Sequence, residues 1–325
     1  MRYFDKQAAD SLLIFNEWKT ENEEIIQEWI ENPEKTGDNL WEELGKTFSV
    51  EKETDIDPSV VRHDLETTLF EEQHGLCCYC GNAIERIRDA KNESWIYRHR
   101  AIEHFEPKNR FKNKTFDYNN LMLCCKESQR LTIFEVGRAY KGTRIQNFED
   151  VAKYVNLPQS VIKAHPKNSD ISKRQLRNDD KIYVPNPPHC DDEKSKFDNQ
   201  EAHIALVNPS QDVELIEKLT FLEDGTIGYR DSETLKEEVI EHTFTVLGLN
   251  CTTLKERRKE KWLNTYVNYY GETGMLLGIQ DKETLNNILE KLIEGKVQPD
   301  EDSLLEPFYF VEIAFLKSLF NAHLK

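Results

Sequence analysis

The cysteines constrain the fold of this 325-residue chain more than any other feature. Cys77 and Cys80 have the two-residue spacing with which a tight turn offers two thiolates to one metal ion. Cys125 ends an apolar run and Cys190 follows a proline-rich turn, so these two are the candidates for the other half of the site. This spacing favours a structural zinc ion on four thiolates. The alternative is that all seven cysteines are small buried apolar residues.

Charge and hydropathy limit the classes of protein to consider. The chain has neither a basic start followed by an apolar run nor about 18 consecutive apolar residues, so we expect a cytoplasmic protein without a membrane span. Thiols stay reduced in that compartment, which favours metal over disulfides. The net charge of −17 argues against a protein whose whole surface attracts nucleic acid. It does not exclude a local basic patch that binds nucleic acid.

Apolar spacing predicts an α+β protein that is mainly helical. We expect an N-terminal helical segment at 1–70, a core at 71–231 with short strands, and a C-terminal helical region at 232–325. Within the core, strands are expected near 101–105 and 121–123, and a hairpin at 219–229. Residues 126–188 are polar, end in prolines and do not continue the core pattern, so we interpret them as an insertion.

Four polar residues near these strands suit phosphodiester hydrolysis. Glu103 and His104 are adjacent at the end of a strand before Pro107, Asn120 precedes the next strand, and Asp192 follows the last cysteine of the set. A neutral histidine can take a proton from water near physiological pH, and carboxylates can hold a divalent cation. Each residue alone is more often structural, so the specificity lies in the order of the motifs.

These motifs resemble those of HNH (ββα-metal) endonucleases that carry a four-cysteine zinc site. The sequence is most similar to PtuB-like nucleases, which occur with the ATPase PtuA in Septu and some retron anti-phage systems. The similarity extends over roughly 70–260 without the insertion, and the stretches that carry it are Cys77-Cys78-Tyr79-Cys80, 102–108, 118–125, 189–197, 207–209, 221–227 and 247–258.

The resemblance implies a role for each candidate residue. His104 would be the general base, Asn120 the central asparagine, and Glu103 and Asp192 would face a catalytic Mg²⁺ or Mn²⁺. It also implies structural zinc on the four cysteines. Two departures stand out: such families usually carry Asn or His at the position of Asp192, and 64 residues separate Cys125 from Cys190 where the usual gap is short.

A basic loop beside the candidate base is the expected contact with nucleic acid, whether DNA or RNA. Lysine and arginine contribute affinity for phosphate that does not depend on sequence, but a solvated loop would have the same composition. The six cations are Arg98, Arg100, Lys108, Arg110, Lys112 and Lys114.

The final helix suggests a protein partner. Its apolar residues are too numerous for a half-exposed helix, so it is expected to be buried within the fold or against another chain. The resemblance favours a PtuA-like ATPase. Three functions remain open: a nuclease that acts alone, a nuclease active only with an ATPase, and a non-catalytic zinc module that binds nucleic acid or protein.

Overall fold

The computed structural model describes most of the chain. The described residues are 4–6, 12–44, 58–88, 95–98, 100–125, 129–132, 147–155, 159–164, 168–177, 180–184, 189–194, 205–230, 234–269, 271, 276, 278–279, 281–300 and 304–324. Contacts divide the chain into two compact units. One comprises Met1–Cys125 and His189–Lys325, and the other is Lys126–Pro188, the range that the sequence analysis set apart.

Helices form the N-terminal part of the first unit. They are α1 (Leu13–Glu21), α2 (Glu23–Glu31), α3 (Gly37–Glu42) and α4 (Pro58–Glu72). Thr36 caps α3 with a side chain that accepts from the backbone N–H of Asn39, and the Asn39 side chain accepts from Thr36 in return. This reciprocal cap fixes the start of a helix of only six residues, which would otherwise be marginal.

Two antiparallel pairs follow. They are β1 (Glu85–Arg88) with β2 (Trp95–Arg98), and β3 (Arg100–His104) with β4 (Leu121–Cys125). The register of the second pair sets Arg100 opposite Cys125 and His104 opposite Leu121. The sequence pattern did not predict β1–β2, but it did predict the strands of the second pair.

The second unit also contains a short antiparallel pair. Its elements are β5 (Gln129–Thr132), α5 (Phe148–Val155), α6 (Gln159–Ala164) and β6 (Lys181–Val184), with β5 paired to β6. Phe148, Val151 and Ile162 are buried in this unit, and Arg174 makes a bidentate ion pair with Asp180.

The first unit resumes with one short turn of helix and ends in long helices. The elements are α7 (Asp191–Lys194), α8 (Val213–Glu217), β7 (Leu219–Phe221), β8 (Ile227–Tyr229), α9 (Thr234–Val246), α10 (Thr252–Tyr269), α11 (Lys282–Lys296) and α12 (Tyr309–Leu324). The antiparallel pair β7–β8 confirms the predicted hairpin, and Gly225 supplies its positive φ of 82°. The fold is therefore a mixture of helices and small antiparallel sheets. Among the described residues no helix has the length and apolar character of a membrane span.

The buried strand β4 separates two apolar cores. Leu121 and Leu123 pack with α1, α3 and α4, whereas Met122 and Cys124 pack with the cysteines and the C-terminal elements. Alternate side chains leave a strand on opposite faces, so an unbroken apolar run belongs at such a position.

The C-terminal helix α12 is buried within the chain. Val311 and Leu316 are fully buried, the Phe310 ring lies tilted against the ring of Phe221, and Phe315 meets Trp262 edge-on. Of the two alternatives that the sequence left open for this helix, burial within the fold is the one that the described residues show, because its apolar side chains already have intramolecular neighbours.

Gln73 completes the outer edge of β4 with its side chain. Its Nε2 donates to the carbonyls of Leu123 (2.6 Å) and Leu76 (2.8 Å), and its Oε1 accepts from the backbone N–H of Leu123 (2.7 Å). The amide thus replaces a neighbouring strand and satisfies backbone groups that water cannot reach.

Replacing this amide should destabilise the fold. Gln73→Leu retains volume but leaves the buried N–H of Leu123 without its acceptor, so we expect a loss of about 2–3 kcal/mol in unfolding free energy. Chemical denaturation provides the measurement. The exposed Gln27→Leu is the control and should change stability little; equal stability of Gln73→Leu and wild type would contradict this account.

Candidate metal centre and active site

Four buried thiols meet at one point in the first unit. The sulfurs of Cys77, Cys80, Cys125 and Cys190 all lie within 4.8 Å of one another. The Cys77–Cys190 separation is 3.7 Å and the Cys80–Cys125 separation is 3.6 Å. Four sulfurs at about 2.3 Å from one zinc ion in a tetrahedron lie about 3.8 Å apart, so the donor set and its spacing are compatible with structural zinc.

A tight turn positions the first two thiols. The Cys77 N–H donates to Asn82 O, and the Gly81 N–H donates to Cys77 O. These two bonds close the turn around Cys80. Gly81 has φ of 72°, and a Cβ there would overlap the Phe310 ring. The Cys78 N–H bonds to Leu123 O on β4, which holds the turn beside the strand that ends in the third cysteine.

The fourth thiol is fixed from the C-terminal side. Cys190 has a positive φ of 54°, its N–H donates to Leu247 O at 2.8 Å, and its own carbonyl accepts from Lys194 N to start α7. Nearby, His189 Nε2 lies 3.5 Å from Cys125 Sγ, within hydrogen-bond distance of sulfur. Cys190 therefore joins the cluster to the loop before α10.

The thiols influence one another strongly. Burial raises the pKa of each, but hydrogen bonds from neighbouring thiols hold the pKa of Cys77 well below its usual value and lower the pKa of Cys80 to about 7. Burial and the same neighbours raise the pKa of Cys190. Four thiolates together in this core would need a cation, because like charges oppose joint ionisation.

His104 ends β3 beneath an aromatic ring. Its Nε2 lies 3.0 Å from Thr115 O; a carbonyl only accepts, so Nε2 carries the proton and Nδ1 has the lone pair in the neutral ring. The Trp41 ring of α3 meets the imidazole edge-on at 4.5 Å, and His104 is 5% exposed. This tautomer of His104 suits a base that acts through Nδ1, although the ring is almost completely shielded from solvent.

Asn120 fixes the loop between the two strands. Its Oδ1 accepts from Glu106 N at 2.7 Å, and its Nδ2 donates to the carbonyls of Glu106 and Lys114, each at 3.1 Å. Both ends of the 106–114 loop are therefore tied to one amide, which orients the backbone next to His104.

Glu103 has a buried cationic partner that the sequence analysis missed. Its Oε1 lies 2.5 Å from the Nζ of Lys194, and Tyr79 OH donates to the same oxygen at 3.4 Å. Lys194 Nζ also donates to His104 O at 2.8 Å. Both ionic side chains are more than nine-tenths buried, so removing either would leave the other charge buried without a partner.

The expected hard-metal site is not assembled on the described residues. The side chain of Asp192 lies outside them, and Glu103 is held by Lys194. Within those same residues, the thiol cluster is the single group of three or more side chains placed to hold a metal ion. The described carboxylates thus give no fit for a catalytic divalent cation.

Most cations of the basic loop contact the chain itself. Arg100 pairs with Glu66 and Lys108 with Asp38, Lys114 pairs with Glu106, and Lys112 donates to Asn32 O. Arg110 lies exposed near the ring of Phe111, and the side chain of Arg98 lies outside the described residues. The charges that the sequence analysis assigned to phosphate contacts are thus largely used within the fold.

Only one sequence signal pointed to Lys194. It follows Cys190 by four residues within the motif that carries the resemblance, but nothing in the sequence connects it with Glu103, 91 positions earlier. Lys6 had no signal at all. Its partly buried side chain donates from the ammonium to the carbonyls of Tyr118 (2.6 Å) and Leu121, and so holds the turn that carries Asn120.

The chain matches no protein-family model, and a search of curated proteins finds no significant match either.

The thiol cluster leads to a prediction about metal content. Purified wild-type protein should hold about one zinc ion per chain, and Cys77→Ser or Cys190→Ser should give unfolded or insoluble protein because a four-thiolate site contributes to folding. Elemental analysis and circular dichroism measure both. Cys251→Ser, outside the cluster, is the matched control and should keep metal and fold. Zinc-free wild-type protein would contradict the assignment.

Proposed function

We propose that this protein is an HNH endonuclease that hydrolyses phosphodiester bonds of nucleic acid and is stabilised by a structural zinc ion. The observation that carries the proposal is the placement of His104. It ends one strand of an antiparallel pair whose other strand ends in a cluster thiol, and the adjacent helix α7 starts at another. This strand–strand–helix arrangement supports the ββα-metal resemblance of the sequence.

In the proposed reaction His104 is the proton acceptor. Nδ1 of neutral His104 takes a proton from water, and the water oxygen forms a bond to phosphorus. The bond from phosphorus to one ester oxygen breaks, and that oxygen leaves with the electron pair and gains a proton. Thr115 O fixes the tautomer, and Asn120 fixes the neighbouring loop.

Positive charge at the phosphate is the second requirement. In the proposed enzyme a Mg²⁺ or Mn²⁺ bound near Glu103 and Asp192 would supply that positive charge and offset the negative charge of the phosphate. The described residues supply the ammonium of Lys194 between Glu103 and the His104 carbonyl.

The burial of His104 and Glu103 favours a second function, that of a non-catalytic zinc module. His104 lies under Trp41, Glu103 is neutralised by Lys194, and Asp38 of α3 pairs with Lys108. All three contacts suit a zinc module that binds nucleic acid or protein without cleaving it. In a nuclease, α3 would have to move before substrate reaches the imidazole.

The resemblance extends the proposal to a partner. We propose that the chain is the effector of an anti-phage system and assembles with a PtuA-like ATPase. With α12 buried inside the fold, the exposed apolar residues on α10 are the better docking face. They lie at helical spacing on one side, at Leu263 (51% exposed), Tyr266 (46%) and Val267 (51%).

Removing the proposed base separates the two functions. We expect His104→Ala to reduce cleavage of DNA or RNA by about 10²- to 10⁴-fold with Mg²⁺ or Mn²⁺ present, while zinc content is unchanged. Single-turnover assays on both substrates, with and without the partner, measure the loss.

The control is His63→Ala on α4, which should cleave like wild type. Wild-type protein that binds nucleic acid but does not cleave it under any of these conditions would support the zinc module instead. Cleavage by His104→Ala at the wild-type rate would remove the active-site assignment.

The partner proposal has a separate test. Co-expressed with its neighbour-encoded ATPase, the chain should elute as one complex in size-exclusion chromatography with light scattering. Leu263→Ser with Val267→Ser should weaken that complex, because the substitutions remove apolar area from the docking face. Separate elution of the wild-type proteins at micromolar concentration, with full activity in the isolated chain, would exclude the partner.

A further inference from the structure

Arg258 is a buried charge whose role the proposed reaction leaves open. It lies on α10, and it is 0% exposed, among the largest fully buried side chains of the protein. A guanidinium keeps its charge at physiological pH, and burying an uncompensated charge costs several kcal/mol. Something in its surroundings must offset that cost.

Neutral hydrogen bonds do not offset it. The NH2 group donates to Leu249 O at 2.5 Å. Nε and NH1 are buried and have no hydrogen-bond partner among the described residues. Within that part of the chain, Arg258 also forms no ion pair with Asp or Glu. Arginines buried in proteins normally use this planar group for paired contacts with carboxylates, so its setting is unusual.

The groups that favour the charged form of Arg258 are mainly thiols. Burial lowers the pKa of Arg258 to about 10, and opposing contributions that raise it come first from Cys80, then Cys251, Cys190 and Asp224. Two of these four belong to the thiol cluster. The backbone gives an independent connection, because the loop that accepts from Arg258 at Leu249 O also accepts from Cys190 N at Leu247 O.

The negative charge of a zinc-loaded cluster would offset the buried positive charge of Arg258. Four thiolates around one Zn²⁺ leave a net charge of −2 inside an apolar core, which is itself costly to bury. We infer that Arg258 is the counter-charge of the zinc–thiolate centre, and that its guanidinium stabilises the loaded site from α10. The inference rests on the structural zinc of the proposed function, but it is independent of whether the protein cleaves nucleic acid.

This role differs from simple support of the fold. If Arg258 served only to bind Leu249 O, its replacement would destabilise the zinc-loaded and zinc-free proteins alike. A counter-charge acts only when the thiolates are present. In the zinc-free protein the guanidinium has no metal-bound thiolates to offset, so its removal should cost less stability there than in the zinc-loaded protein.

The test compares Arg258→Met, which keeps most of the volume, with Arg258→Lys, which keeps the charge. Competition with a chromogenic chelator gives zinc affinity, and Co²⁺ titration reports the thiolate-to-cobalt charge-transfer band. We expect Arg258→Met to bind zinc about 10- to 100-fold more weakly, as is typical when a partner of a metal ligand is removed, and Arg258→Lys to retain most of the affinity. The exposed neighbour Lys259→Met is the control and should match wild type.

Each outcome has a defined meaning. Unchanged zinc affinity in Arg258→Met would overturn the inference and leave the zinc site intact. An equal loss in Arg258→Lys and Arg258→Met would overturn it as well, because charge would not be the property that matters; this comparison holds even if the Met variant folds poorly. Wild-type protein that binds no zinc would refute the metal assignment and this inference together.

Discussion

The four buried thiols are the constraint on which the first unit depends. They join the turn after α4, the end of β4 and the start of α7, three stretches that do not adjoin in sequence. Without a cation, burial and mutual repulsion oppose the thiolates; with one, the same burial excludes water and competing ligands. The surroundings are arranged accordingly, with main-chain hydrogen bonds fixing the cysteines and a guanidinium nearby.

The polar side chains near the end of β3 are also buried and hydrogen-bonded. Glu103, His104 and Asn120 are each at most 5% exposed, and each has a hydrogen-bond partner. Such a network is favourable only when complete, because a half-satisfied buried group costs more than an apolar one. The same holds at β4, where the Gln73 side chain satisfies backbone groups of Leu123 on the edge that is not paired with β3. Order around the candidate base therefore comes from satisfied polar groups as much as from apolar packing.

Sequence reasoning succeeded where the signal was local. Cysteine spacing and the neighbouring sequence selected Cys77, Cys80, Cys125 and Cys190 as one candidate set, and the pattern at 219–229 predicted the β7–β8 hairpin. It failed where two distant residues meet, as with Lys194 and Glu103, because no periodicity encodes that pairing. An apolar helix such as α12 can be recognised as buried, but the surface that buries it is set by tertiary packing.

The wide gap between the third and fourth thiols affects how this chain can change over time. Closing a flexible loop of 64 residues costs less than about 2 kcal/mol more than closing one of ten, because the entropy grows only with the logarithm of length. A structural zinc ion contributes about 10–16 kcal/mol. The cost of material inserted between Cys125 and Cys190 is thus small beside the contribution of the zinc ion, and this position can accept, lose or exchange whole segments while the thiol cluster keeps its geometry.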